Sequence, residues 1–231
     1  MIQLEIACNS LHSCQAAYKG GATRIELFEN LADGGCTPSA GSIKSSQAYG
    51  LPIYVMIRPR GGNFHYNTAE IDAMLYDIEV CKNIGTAGIV FGCLDHYGNV
   101  DKTLNKLLLD HWGGKATFHR AIDRSSNYQQ SIKDIIDLGF ERILSSGAAD
   151  HVEQGLDTLK HAIANYGHLI DIMPGAGVSH LNAQHIIQST QCKSLHATCK
   201  HSSSYTGIGT SKDHETHTDQ ALVSALVKAI G

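Results

Sequence analysis

Three consecutive stretches decide the fold: Ile2-Gln-Leu-Glu-Ile-Ala-Cys8, then Ser10-Leu-His-Ser-Cys-Gln-Ala-Ala-Tyr-Lys19, then Thr23-Arg-Ile-Glu-Leu-Phe28. The outer two are short apolar runs of strand length, and the middle one has helical spacing, so together they read as a strand–helix–strand unit. Similar apolar runs recur at 52–58, 87–94, 115–122, 141–147, 169–173 and 193–199. Stretches with helical spacing lie between them at Thr68–Asn83, Ser126–Leu138 and Val152–Tyr166. Thr68 stands where an N-cap is wanted, and Gly85 and Gly139 where a left-handed helix end is wanted. Eight alternations in 231 residues leave about 29 residues per unit. That repeat predicts a parallel sheet closed into a single-domain (β/α)8 TIM-type barrel spanning 1–231. An open doubly wound sheet is the rival, but the first turn, Cys8-Asn-Ser-Leu-His-Ser, lacks its glycine fingerprint. A polar loop is expected near 200–217 and a final amphipathic helix near 219–230.

Composition narrows the class. With 42% hydrophobic and 17% charged residues the chain can bury a large core, which excludes intrinsic disorder. A net charge of −4 gives no basic excess for phosphate backbones, so no nucleic-acid partner is expected. No segment has the apolar length of a membrane span, and the start does not read as a signal peptide. Seven cysteines without a CxxC pair read as reduced thiols, hence a cytoplasmic protein without a membrane partner.

Period two along each run sorts its side chains into two faces. Ile2, Leu4 and Ile6 oppose Glu5; Ile25 and Leu27 oppose Glu26; Ile53, Val55 and Ile57 oppose Met56 and Arg58. Thr117, His119 and Asp123 share one face with Arg120 on the other, and Leu195 and Ala197 oppose His196. The apolar faces belong against the helices. Glu5, Glu26, Arg58, His119 and His196 therefore point into the barrel, at the end where such barrels do their chemistry. Unpaired buried charge is costly, so these groups either fill the barrel as an ion-pair network or bind a ligand. Glu5, Glu26, Arg58, His119, Asp123 and His196 are the candidate catalytic set, with carboxylates and histidines for proton transfer and Arg58 as an oxyanion clamp.

Two glycine-bearing strand exits, Leu144-Ser-Ser-Gly-Ala-Ala and Met173-Pro-Gly-Ala-Gly-Val, suit either tight turns or anion binding. Ser146, Gly147, Gly175 and Gly177, with Arg60 and Arg120, are the candidate substrate-binding residues. Lys115 and Lys193 stand at strand starts, which argues against a Schiff base. Phe64 and Tyr66, after the third strand, either cover a ligand or pack on the rim.

The ordered motifs Leu4-Glu-Ile-Ala-Cys, Gly20-Gly-Ala-Thr-Arg-Ile-Glu-Leu, Gly34-Gly-Cys-Thr-Pro-Ser and Val55-Met-Ile-Arg-Pro-Arg-Gly-Gly continue through Thr117-Phe-His-Arg-Ala-Ile-Asp, Arg142-Ile-Leu-Ser-Ser-Gly and Ile172-Met-Pro-Gly-Ala-Gly-Val to His196. On these the chain resembles the CutC family, the copper homeostasis proteins, from about residue 2 to residue 199. The resemblance implies a (β/α)8 barrel, a cytoplasmic location, a homo-oligomer and a role in copper homeostasis, with copper(I) as the bound ion. Two positions depart from the family pattern: Phe28 replaces a cysteine and Asn63 an aspartate.

Copper(I) prefers soft thiolates, and the pair that closure of the barrel would bring together is Cys8 and Cys199. Period two puts both on the helix-facing side, where free cysteine commonly acts as a small hydrophobe. Glu5, Glu26, His119 and His196 suit a harder ion such as zinc or manganese, which Arg58 would repel. Most of the 14 histidines are scattered without a repeat and read as surface groups. Two functions stay open: copper(I) binding through thiols, and an enzyme acting on a small anionic metabolite, phosphorylated or not.

Overall fold

The computed structural model describes residues 2–206 and 212–231. Eight parallel strands form the barrel: β1 (Gln3–Cys8), β2 (Arg24–Leu27), β3 (Ile53–Met56), β4 (Gly88–Phe91), β5 (Ala116–Phe118), β6 (Arg142–Ser145), β7 (Asp171–Pro174) and β8 (Ser194–Ala197). Each pairs with its sequence neighbour from β1 to β7, and β8 returns to pair with β1. β7 lies beside β8 and is tied to it by the Ser194 hydroxyl, which donates to the Asp171 carboxylate at 2.8–2.9 Å. Eight helices complete the alternation: α1 (Leu11–Gly20), α2 (Ala40–Ser46), α3 (Thr68–Ile84), α4 (Lys102–Trp112), α5 (Tyr128–Leu138), α6 (Leu156–Tyr166), α7 (Ala183–Thr190) and α8 (Gln220–Ile230). This is the single-domain (β/α)8 fold expected from the repeat.

The face assignment holds on β1, β2 and β3. Leu4, Ile6, Ile25, Leu27, Ile53, Val55 and Ile57 are buried in the main core between strands and helices. Ala7, Phe28, Tyr54, Met56 and Val90 form a second, smaller cluster of the opposite parity, inside the barrel. Beyond that inner plug the barrel opens at the carboxyl ends of the strands.

Local chemistry sets the helix ends. α3 is capped by Asn67, one residue before the expected Thr68, in a reciprocal capping box with Glu70. The run 115–122 is a strand only to Phe118, because residues Arg120–Arg124 turn into a 3-10 helix. The polar segment 200–217 is largely an antiparallel ribbon, with β9 (Lys200–Thr206) paired to β10 (Lys212–Thr218), rather than a loop. Its polar sequence carries no apolar alternation, so period-two reasoning has nothing to detect. Residues 207–211 of that segment lie outside the described residues. No described helix is long and apolar enough to cross a membrane.

Candidate functional site

The barrel interior is layered. At the floor, Arg24 Nε meets Glu5 Oε2 at 2.5 Å, and Arg142 pairs with both Asp171 and Glu141 at 2.9 Å. The Tyr54 ring centre lies 5.2 Å from the Arg24 guanidinium and 5.4 Å from that of Arg142, and its hydroxyl donates to Glu141 at 2.7 Å. A side chain at Gly88 would meet that ring at 2.3 Å, so β4 has room only for glycine there. This floor is a satisfied ion network, and of its members the sequence reading had singled out Glu5 alone.

Above it, His196 joins two carboxylates. Its Nδ1 lies 2.9 Å from Glu5 Oε1 and its Nε2 lies 3.7 Å from Glu26 Oε2. Burial pushes Glu5 up, but Arg24 and His196 together outweigh it and hold the carboxyl at about 2. For Glu26 burial prevails: despite His196, and helped by the charge of Glu5, its carboxyl rises to about 7. Burial lowers His196, yet Glu26 and Glu5 raise it overall. Glu26 Oε1 is buried without a hydrogen-bond partner.

His119 stands at the end of β5, on the far side of the barrel from β1. As the cap of the 3-10 helix it accepts the Ala121 N–H at Nδ1, 3.3 Å away. Its ring proton is therefore on Nε2, which is buried without a partner. Burial first, and Arg58 second, push this imidazole down to about 3, so it is neutral at physiological pH. Phe64 packs 4.9 Å from its ring. Gly92 makes the space, since a Cβ there would lie 2.9 Å from His119 Nδ1.

Arg58, at the end of β3, donates to the carbonyls of Asp33, Gly35 and Gly62 at 2.8–3.0 Å. It thereby ties the loops after β2 and β3 together. Its Nε is buried without a partner, and it forms no ion pair among the described residues. Glu26, Arg58, His119 and His196 all line one cavity of about 910 Å³ at the mouth. Glu5 lies beneath them, fully buried.

Other expected residues sit elsewhere. Asp123 is not on the barrel face, because the 3-10 turn ends the period-two pattern at His119. Its carboxylate accepts from Ser146 N (3.0 and 3.2 Å), Ala148 N (3.0 Å), and the hydroxyls of Ser145 (2.6 Å) and Ser146 (2.9 Å). The Ser146 and Ala148 amides after β6 are thus already occupied by the protein's own carboxylate. Gly147 packs backbone to backbone on Gly155, where a Cβ would meet a carbonyl oxygen at 2.3 Å. The Gly175 amide donates to Ser145 O, and Gly177 is exposed at the following turn. None of these lines the cavity.

Arg120 reaches the cavity despite its opposite parity, but its guanidinium already binds Asp123, Ser146 and the Ala149 carbonyl. Arg60 does not line the cavity; it pairs with Glu70 and holds the carbonyls of Gly61, Asn63 and His65, so it shapes the loop carrying Phe64. The Tyr66 ring lies under Arg60, at 5.3 Å. Arg124, His65, His96, Asp33 and Asp95 also line the mouth. They stand on loops and short 3-10 turns outside the barrel strands, where period two does not mark them.

The thiols lie apart from this cavity. Cys8 and Cys199 are both in the core between strands and helices. The β1–β8 register would set them opposite one another, but β8 ends at Ala197 and Cys199 turns to φ 44°. Burial, then the neighbouring Cys14, push the Cys8 thiol well up; burial and Asp219 push Cys199 to about 12. Both changes oppose the thiolate that copper(I) binding requires. Ligand atoms of Glu5, Glu26 and His196 lie within 4.8 Å of one another, a separation that a cation could bridge. Arg24 and His196 already occupy the two Glu5 oxygens by hydrogen bonds, while Glu26 lies 3.7 Å from His196 Nε2, close enough for electrostatic coupling.

The family pattern for CutC matches residues 2–201. The chain belongs to the CutC family. A CutC protein of Aliivibrio fischeri is 43% identical over 204 residues, covering 86% of this chain and 82% of the relative. One from Porphyromonas gingivalis is 40% identical over 202 residues, covering 87% and 82%. Among solved structures, the CutC protein of Streptococcus agalactiae, named for copper homeostasis, superposes with a TM-score of 0.82 at 35% identity, covering 86% of this chain and 99% of that one. The thiamine phosphate pyrophosphorylase of Pyrococcus furiosus, at 11% identity, 99% and 95% coverage and TM-score 0.63, shares the barrel fold alone.

Proposed function

We propose that this CutC-family chain is an enzyme that binds a small anionic metabolite at the barrel mouth and moves a proton in it. One observation carries the reading: Glu26 Oε1, Arg58 Nε and His119 Nε2 are buried without partners, and their residues line the same cavity. Each such atom left unpaired costs roughly 1–3 kcal/mol, so their convergence calls for a ligand that satisfies them. Arg58, which has no carboxylate partner among the described residues, selects for a negatively charged ligand. Glu26, held near neutrality, is the acid–base group. Glu5 and His196 hold and recharge it from behind.

A thermal-shift screen of small carboxylates and phosphorylated compounds tests the reading. It predicts that at least one class stabilises the wild type and stabilises His119→Ala less. If neither class shifts the protein, the reading fails.

The second reading is copper handling, favoured by the name of the Streptococcus agalactiae relative. In this chain it would draw on Cys8 and Cys199, with copper(I) as the bound ion. A cytoplasmic location and a homo-oligomer accompany either reading. Seven free cysteines support the first, and sedimentation velocity tests the second.

A further inference from the structure

The cavity has polarity, and the polarity specifies a reaction class. In the circle of strands, β2 and β8 flank β1, whereas β5 lies opposite it. Glu26 and His196 therefore stand across the opening from His119. Between them β6 contributes Leu144 to the lining, and Gly175 packs behind it, where a Cβ would meet Leu144 at 2.6 Å. Of the unpartnered atoms, those at the ends of β5 and β3 are donors. His119 Nδ1 is engaged by Ala121 N–H, so Nε2 carries a proton and faces no acceptor, and Arg58 Nε–H is in the same condition. The near side offers a carboxylate oxygen that nothing holds.

The commonest nucleophiles are missing from this lining. Among the described residues lining the cavity there is no lysine, cysteine or serine. Covalent catalysis through those groups is therefore not what the cavity is built for. Two neutral-to-cationic donors facing a carboxylate base instead suit a substrate whose oxygen becomes negative as a neighbouring carbon loses a proton. A glutamate base working against a neutral imidazole donor is an established solution to that problem.

Building on the proposed enzymatic reading, we infer that the site enolises a small anionic carbonyl compound, with Glu26 as the base and His119 and Arg58 holding the carbonyl oxygen. The Glu26 carboxylate takes the proton from the carbon beside the carbonyl. The C–H electron pair becomes the new C=C bond, and the C=O π pair moves onto oxygen, where His119 Nε2–H and Arg58 Nε–H receive it. Glu26 exchanges the proton with solvent and returns a solvent hydron to the same carbon, which closes the cycle as hydrogen exchange. No oxidant, reductant or water is consumed. A neutral imidazole serves better here than an imidazolium, because it stabilises the oxyanion without surrendering its proton.

The test is proton NMR in D2O with pyruvate, 2-oxobutyrate, dihydroxyacetone phosphate and glyceraldehyde 3-phosphate as probes, each against a protein-free control. Binding is followed in parallel by saturation transfer. The inference predicts loss of the signal from the carbon beside the carbonyl in at least one probe. Glu26→Gln should slow it about 10²–10⁴-fold while still binding the probe. His119→Ala should slow it about 10²–10³-fold, and His119→Gln, which restores an N–H donor, should recover part of the rate. A probe that binds without exchange overturns the enolisation and leaves the anion-binding reading standing. Exchange that survives Glu26→Gln also overturns it. If no probe binds, both readings fall.

Discussion

The Asp123 carboxylate sits in the nest of the Ser146 backbone, with the Ser146 N–H 3.0 and 3.2 Å from its two oxygens and the Ser146 hydroxyl at 2.9 Å from one of them. In barrels of this kind the loop after a late strand often receives a substrate's phosphate. Here the chain supplies its own anion, and Arg120 balances it at 2.9 Å. Asp123 is thus a structural clasp. Asp123→Ala leaves two amides, two hydroxyls and a guanidinium without their acceptor, and should destabilise the fold by about 3–5 kcal/mol. Urea unfolding measures this; a loss under about 1 kcal/mol would show that the clasp is dispensable.

His119 and Glu26 make opposite contributions to stability between pH 5 and 6.5. The folded pKa of His119 is about 3 against 6.5 unfolded, so its contribution is complete above pH 6.5 and is lost as pH falls toward 3. Glu26 runs the other way: its folded value of about 7 exceeds 4.5, so its contribution is complete below pH 4.5 and is lost as pH rises through 7. Relative to wild type, His119→Gln should gain up to about 1.4 kcal/mol per pH unit as pH falls across this window, and Glu26→Gln should lose a similar amount. Denaturant midpoints at pH 5 and 6.5 read both slopes. Parallel slopes in all three proteins would mean that neither group is buried as described.

How much of this was legible in the sequence depended on periodicity. Glu5, Glu26 and His196 lie on strands, and Arg58 and His119 lie one or two residues past strand ends, so period two still turned all five inward. The same parity holds for Arg24, two residues before Glu26, and for Arg142 at the start of β6. Those floor residues lie at the amino ends of their strands, away from the end where barrels do their chemistry. Period two failed at Asp123 and Arg120, where a 3-10 turn follows directly on the strand and rotates each side chain by about a third of a turn. Arg60 and the glycine loops looked like anion binders because residue type was visible and hydrogen-bond commitment was not.

Glu5 is the keystone of the floor. Its two oxygens separately hold Arg24 and His196. Glu5→Gln removes the charge and leaves the Arg24 guanidinium buried with Gln3, the Met173 sulfur and the Tyr54 ring but no anion against it. A loss of about 3–5 kcal/mol is expected, the usual result of breaking one side of a buried pair. Thermal unfolding of the variant checks it, and a neutral outcome would locate the compensating charge elsewhere.

Copper(I) affinity, measured anaerobically against a chromophoric chelator, separates the two functional readings. Both thiols are buried and pushed up, so Cys8→Ser/Cys199→Ser should bind copper(I) as wild type does. Copper(II) serves as the specificity control, because 14 histidines give the surface many weak sites. Tight stoichiometric copper(I) binding that disappears in the double variant would restore the thiol reading.

Gly92 offers the sharpest link between fold and site. It follows β4, and a Cβ at this position would lie 2.9 Å both from His119 Nδ1 and from two atoms of the Phe118 ring. Neither neighbour can yield easily: Phe118 is fully buried against Phe140, and His119 is pinned between Phe64 and the Ala121 N–H. Overpacking of this kind typically costs about 1–3 kcal/mol. Gly92→Ala should therefore destabilise the protein by that amount and also displace His119 from its cap. The displacement has its own readout: once Nδ1 is free, the imidazole titrates nearer its ordinary range, visible in the ring-proton shifts between pH 5 and 7. A variant that folds as well as wild type, with His119 still silent over that range, would show that the glycine is not what holds the imidazole in place.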